Sequence, residues 1–122
     1  MKSQDAVSAL SALAQEHRLE VFRLLVQAGA GGMPPNRIVE RLQIAAPNLS
    51  FHLAQLKHAG LVQVRRDGRS LIYTVNYDAM NALMAFLTDN CCSGDASACR
   101  VPVCDPDTAT IVQRRARRAS RQ

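Results

Sequence analysis

The chain lacks several features that would narrow its function at once. It has no tryptophan, only three Phe and two Tyr, and no cysteine before residue 91. Any core must therefore be built from Leu, Val, Ile, Met and Ala. No apolar run approaches the ~20 residues that a membrane-spanning helix needs, and Met1-Lys2-Ser3-Gln4-Asp5 does not begin a secretory signal. We expect a cytoplasmic protein without a membrane partner, in a compartment where thiols stay reduced.

Catalytic patterns are also missing. The chain has three histidines, and His17 and His58 lie on predicted helices without a nucleophile or carboxylate at a useful spacing. Gly29-Ala30-Gly31-Gly32 reads as a helix stop, since the prolines that follow block continuation, and no phosphate-binding loop is present. The sequence predicts that the protein is not an enzyme and uses no organic cofactor.

The positive charge is placed unevenly. The net charge is +5, yet residues 1–99 carry nine Lys or Arg against eight Asp or Glu, whereas residues 100–122 carry six Arg against two Asp. We therefore divide the chain into a folded domain, 1–92, and a cysteine-containing segment with a basic, flexible tail, 93–122. Because the excess charge sits in the tail, overall basicity is weak support for a nucleic-acid partner.

Hydrophobic periodicity predicts a mainly α fold with a small β-hairpin. Apolar residues recur at helical spacing in five segments and alternate in two, with Asp67-Gly68 as a two-residue hairpin turn between the strands. The predicted helices are 5–14, 16–28, 36–42, 46–59 and 77–90, and the predicted strands are 61–66 and 69–75. Helix, turn, helix and hairpin in this order are typical of a winged helix-turn-helix.

The predicted helix 46–59 would enter the major groove of double-stranded DNA. With Leu49, Leu53 and Leu56 as its buried stripe, its outward face is uncharged, as a surface that reads bases can be. Arginines crowd the hairpin tip, where phosphate or minor-groove contacts are favoured over a merely solvated turn. His52 lies nearer the core edge, where local hydrogen bonding is an equal alternative. The predicted DNA-binding residues are Pro47, Asn48, Ser50, Phe51, His52, Gln55, Arg65, Arg66 and Arg69.

Several runs resemble the ArsR/SmtB family of winged-helix repressors. They are Leu49-Ser50-Phe51-His52-Leu53, Leu56, Ala59-Gly60-Leu61-Val62, Arg65-Arg66-Asp67-Gly68-Arg69 and Tyr73, together with His17 to Leu25 as the second helix. The resemblance covers about residues 5–90. It implies a transcriptional repressor that binds a partly palindromic operator as a homodimer and releases it when an inducer binds. It also implies a dimer interface from the first and last helices, here Leu10, Leu13, Met80, Leu83, Met84 and Leu87.

The chain departs from the family at its sensor sites. The Cys-Val-Cys of many arsenic sensors is replaced by Met33-Pro34-Pro35-Asn36, and the last helix has no His for a zinc site. Thr88-Asp89-Asn90-Cys91-Cys92 followed by Cys99 is similar to the arsenite sensors whose three cysteines are C-terminal. The resemblance thus implies As(III) or Sb(III) as inducer, with Cys91, Cys92 and Cys99 as ligands.

The cysteines themselves leave other sensors open. All four lie between Cys91 and Cys104, and thiolates are soft ligands suited to thiophilic, three-coordinate As(III). A four-sulfur zinc site remains an alternative, although the spacing lacks the usual zinc knuckle. A thiol redox switch is a second alternative, and a metal-buffering protein is a third. Cys104 is a fourth ligand, a substitute or a bystander.

Overall fold

The computed structural model describes residues 1–89. They contain five α-helices and one β-hairpin in the order that the sequence predicts, with the hairpin between the fourth and fifth helices. Met1–Met80 form one compact unit, and a second begins at Asn81, part-way along the last helix. The elements are α1 (Ser3–Leu13), α2 (Glu16–Ala28), a 3-10 turn (Gly29–Gly31), α3 (Pro35–Leu42), α4 (Ala46–His58), β1 (Val62–Asp67), β2 (Ser70–Val75) and α5 (Tyr77–Leu87). The predicted fold class, mainly α with a small hairpin in winged helix-turn-helix order, is confirmed.

Helix α1 packs against α2 and α4 through alanines rather than leucines. Ala6, Ala9 and Ala12 are buried, whereas Leu10 remains 41% exposed. Leu10 is a predicted dimer residue, and its exposure leaves it outside the packing of α1 within the chain. The Arg18 Nε donates to the Ala12 carbonyl at 2.6 Å, which satisfies one of the free carbonyls at the end of α1.

Helices α2 to α4 build the centre of the first unit. Val21 and Leu25 of α2, Ile38 of α3 and Leu56 of α4 are fully buried. Three residues, 43–45, connect α3 to α4. Gln43 ends α3 in the left-handed conformation with φ 55°, and its N–H donates to Val39. This tight turn sets the angle between the two helices of the helix-turn-helix.

The hairpin differs from the prediction by one residue at its turn. β1 and β2 are antiparallel and pair Val62 with Val75 through Asp67 with Ser70, so the loop is Gly68-Arg69 and not Asp67-Gly68. Gly68 has φ 62°, which suits the first central position of a type II′ turn. We call this hairpin, residues 62–75, the wing. Arg69 therefore lies at its tip, and Asp67 belongs to β1.

Asn76 joins the hairpin to α5. Its Nδ2 donates to the Gly60 carbonyl at 3.0 Å, and its Oδ1 accepts from the backbone N–H of Ala79 in the first turn of α5. The Asn76 side chain thus links the residues that precede and follow the hairpin, and it also caps the N-terminus of α5. α5 ends at Leu87, three residues before the predicted end. No helix among residues 1–89 is long and apolar enough to cross a membrane.

Candidate nucleic-acid interface

The recognition helix α4 presents the face that its periodicity predicted. Leu49, Leu53 and Leu56 are at most 2% exposed, which confirms the buried stripe. The residues predicted to read bases lie opposite this stripe and are exposed: Pro47, Asn48, Ser50, Phe51 and Gln55. Because the buried leucines hold one side of α4 against the body of the protein, the opposite side of α4 is a fixed, exposed surface without formal charge.

Phe51 is the most distinctive residue of that surface. Phe51 is 57% exposed, although large apolar side chains are more often buried. It is also one of only three Phe in the chain. The hydroxyl of Ser50 lies beside it. Together they offer one apolar group that could pack on a thymine methyl and one hydroxyl that could bond a base edge.

His52 does not belong to this surface. It is 9% exposed, and its ring lies 5.8 Å from that of His17 on α2. Its Nδ1 has no hydrogen-bond partner among residues 1–89. Burial, with the positive charge of Arg18 and then His17 nearby, lowers the pKa of His52 below its usual value. His52 is therefore turned toward α2, and its contact with DNA stays a prediction that this burial does not support.

The three wing arginines fall into two classes. Arg65 donates from Nη1 to the Ala30 carbonyl and from Nη2 to the Gly31 carbonyl, both at 3.0 Å. Arg66 and Arg69 are exposed, and neither makes an ion pair or side-chain hydrogen bond within the described part of the chain. The sequence analysis treated the three alike. The structure leaves Arg66 and Arg69 as the cations available to phosphates and engages Arg65 with the backbone.

The predicted dimer residues differ in accessibility. Leu10 and Leu87 are 41% and 54% exposed, whereas Leu83 is 5% exposed within a single chain. Leu13, Met80 and Met84 are half-buried. Two exposed apolar residues were missed, Val7 at 61% and Phe86 at 38%. Val7 lies one turn before Leu10, so its spacing could have revealed it. Pairing of these faces stays a prediction.

The predicted ligands Cys91, Cys92 and Cys99, with Cys104, lie outside the described residues, as does the predicted division between residues 92 and 93. Within residues 1–89 no group of three or more His, Cys, Asp or Glu is placed to hold a metal ion.

Comparison with known proteins agrees with this architecture. A helix-turn-helix domain model matches residues 13–65. The transcriptional activator HlyU of Vibrio cholerae is 31% identical over 85 residues, which are 70% of this chain and 76% of that protein. The homodimeric winged helix-turn-helix DNA-binding domain from Mycobacterium bovis is 28% identical, with a TM-score of 0.58 over 71% of this chain and 81% of that domain.

A third comparison concerns the fold alone. An ArsR-like transcriptional regulator from Rhodococcus is 23% identical and superposes with a TM-score of 0.65, over 77% of this chain and 86% of that protein. The order of elements, the exposed face of α4, the cationic wing and these relatives lead to one assignment. The chain belongs to the ArsR/SmtB-like family of winged-helix transcriptional regulators.

Proposed function

We propose that the protein is a homodimeric repressor that binds a two-fold operator and releases it when As(III) or Sb(III) binds the thiolates of Cys91, Cys92 and Cys99. The observation that carries the proposal is the placement of the thiols in the sequence. All four cysteines fall within fourteen residues, and the first of them follows only four residues after the end of α5. A ligand captured there would act directly on the helix predicted to pair the two protomers.

The coordination chemistry supports As(III) over the alternatives. Arsenous acid can exchange three hydroxyl groups for three thiol sulfurs with release of three waters. Arsenic stays trivalent, so no oxidant or reductant is required. In the proposed site, adjacent Cys91 and Cys92 supply two sulfurs, and Cys99, seven residues after Cys92 in the sequence, supplies the third. Zinc instead takes four ligands in a tetrahedron, usually from two pairs of cysteines spaced Cys-x2-4-Cys, and here only Cys99 and Cys104 have that spacing.

Release of DNA requires that the inducer favour the free form of the repressor. A full reversal from mostly bound to mostly free corresponds to about 5.5 kcal/mol of differential affinity. Three arsenic–sulfur bonds that form better in one state of the dimer could supply this difference. The expected consequence is a change in the spacing of the two recognition helices, because α5 carries part of the predicted interface and Cys91 follows the end of α5 by only four residues.

Electrophoretic shift of the protein's own upstream DNA tests the sensor. Arsenite should release the DNA, whereas zinc should leave it bound. Peroxide should not cause a release that a reductant then reverses. Cys91→Ser, Cys92→Ser and Cys99→Ser should each keep DNA binding and lose the arsenite response. Cys104→Ser is the matched control and should retain most of it. Release from Cys99→Ser at the wild-type arsenite concentration would refute this ligand set.

The dimer requires a separate test. Leu10→Glu should give a monomer in analytical ultracentrifugation and weaken operator binding, because Leu10 is exposed and a charge there need not disturb the protomer. Leu19→Glu is the control, since Leu19 is 43% exposed on α2 and lies outside the predicted interface. Leu83 is unsuited to this test because it is buried within one chain. A Leu10→Glu protein that remains dimeric would exclude α1 from the interface.

A further inference from the structure

The base of the wing packs against helices, with Val62 and Val75 buried, and further out the wing is held by the connection between α2 and α3. The backbone of Met33 pairs with Tyr73 of β2 through two hydrogen bonds of 3.0 Å, so Met33 forms a one-residue third strand beside the hairpin. This bridge lies near the middle of β2. It leaves the outer half of the hairpin, from Arg65 to Ile72, beyond the last backbone link to the body.

Gly32 allows the connection to approach the hairpin. It has φ 67° and ψ −164°, a backbone conformation that is almost restricted to glycine. A Cβ placed there would lie 2.6 Å from both the Tyr73 carbonyl oxygen and the Thr74 Cγ2, and 2.7 Å from the Ile72 Cγ2. One face of β2, that of Ile72 and Thr74, is thus in close contact with the connection.

Arg65 extends this contact toward the tip. It is the cross-strand partner of Ile72, so its side chain lies on the face that meets the connection. Its two terminal nitrogens donate separately to the Ala30 and Gly31 carbonyls. Arg66 is the partner of Leu71 and lies on the opposite face. Two adjacent arginines are thereby directed to opposite sides of the wing.

The geometry points to Arg65 as a positioning residue for DNA binding. A two-stranded hairpin is marginally stable in water unless it packs against something. Beyond the Met33–Tyr73 bridge, the Arg65 fork is the outermost polar link that the described structure gives between wing and body. We infer that Arg65 does not itself neutralise a phosphate. It fixes the wing so that Arg66 and Arg69 can do so beside α4. The inference rests on DNA binding by this family and not on the arsenite response.

Charge-conserving substitutions distinguish a residue that contacts phosphate directly from one that positions the wing. Lysine retains a phosphate contact, but its single ammonium cannot reproduce a planar fork that reaches two carbonyls. We therefore expect Arg65→Lys to lower the operator affinity and the slope of log K against log salt nearly as much as Arg65→Ala does. At Arg66 and Arg69, where the charge itself is inferred to act, substitution by lysine should lower the affinity and the salt slope clearly less than substitution by alanine does. An Arg65→Lys protein with native affinity and salt dependence would overturn the inference.

Salt dependence gives the second measurement. In the full-length protein, Arg66→Ala with Arg69→Ala should lower the slope of log K against log salt by about two units, since each phosphate contact contributes about 0.9. Arg65→Ala alone should approach the same loss, because it withdraws both contacts at once. A loss of about one unit from Arg65→Ala, equal to that of Arg66→Ala, would identify a direct phosphate contact.

Additivity completes the experiment. Arg65→Ala should weaken operator binding in the native background and have no further effect once Arg66 and Arg69 are alanine. A direct contact would reduce affinity by the same factor in both backgrounds. Circular dichroism and thermal melting should show each variant folded at the assay temperature. A role confined to stability would leave affinity unchanged in both backgrounds, and that result would also overturn the inference.

Discussion

The recognition helix and the wing are held to the protein by different forces, and they present different chemistry. α4 is fixed by three leucines that are at most 2% exposed, whereas the hairpin beyond its buried base at Val62 and Val75 is held by one backbone bridge, one close glycine contact and one arginine fork. The outward face of α4 is uncharged over Pro47 to Gln55, and the wing tip carries Arg66 and Arg69. The surface predicted to discriminate bases is thus anchored by apolar burial, whereas the outer wing, predicted to supply affinity, depends on hydrogen bonds and a close backbone contact.

The largest effect should come from the apolar anchor. Leu56→Ala should lower the free energy of unfolding by about 2–5 kcal/mol, because Leu56 is fully buried and its removal leaves a cavity beneath α4. Leu71→Ala on the wing is the matched control, since Leu71 is 44% exposed and its loss should cost less than about 0.5 kcal/mol. Urea denaturation measures both. Equal costs would show that the two elements are not anchored differently.

The glycine contact of the wing should come next. Gly32→Ala should cost about 1–3 kcal/mol for its backbone conformation alone, with a further penalty from the clash at the Tyr73 carbonyl. Gly31→Ala is the control, because a Cβ at Gly31 meets nothing within 4 Å and its φ is not positive. Unfolding curves should show the difference. A stable Gly32→Ala protein would mean that the connection can move away from β2 at little cost.

The exposed ring of α4 should affect discrimination more than affinity. Phe51→Ala should reduce the preference for operator over a scrambled duplex of equal length by about 1–3 kcal/mol if the ring makes a good base contact. The salt slope should stay unchanged, because no phosphate contact is lost. Leu19→Ala is the control for loss of an exposed apolar side chain elsewhere. Equal weakening on both duplexes would remove Phe51 from base reading.

The smallest effect should be a pH dependence of folding from His52. Its pKa is lowered in the folded protein, chiefly by burial and then by Arg18 and His17, so the unfolded chain binds the proton more readily. The contribution of His52 to stability is therefore complete above its usual pKa of about 6.5 and is lost as pH falls through the lowered value. Between pH 8 and 5, His52→Gln should flatten the dependence of the unfolding free energy on pH.

His58 provides the control for that measurement. It lies on the same helix and is exposed, so His58→Gln controls for the replacement of a histidine by glutamine on α4. If His52→Gln retains the native pH profile, another group is responsible for it.

Much of the fold was predictable because its signals are local. The helical spacing of Leu49, Leu53 and Leu56 identified the buried side of α4, and the change of period after Gly60 identified the hairpin. The turn was displaced by one residue, since Asp67-Gly68 and Gly68-Arg69 are both compatible with a glycine of positive φ. The proposed sensor comes from sequence alone, because its cysteines lie beyond residue 89.

The sequence by itself determined, to within a few residues, where each helix and strand lies and which face of α4 is buried, since period and turn chemistry act over a few neighbouring residues. The tertiary structure decided the roles of individual polar side chains. Arg65 meets carbonyls 34 and 35 residues earlier in the chain, and His52 meets His17 on another helix. Such partners depend on how helices and strands pack. Adjacent arginines that look equivalent in the sequence therefore receive different roles in the fold.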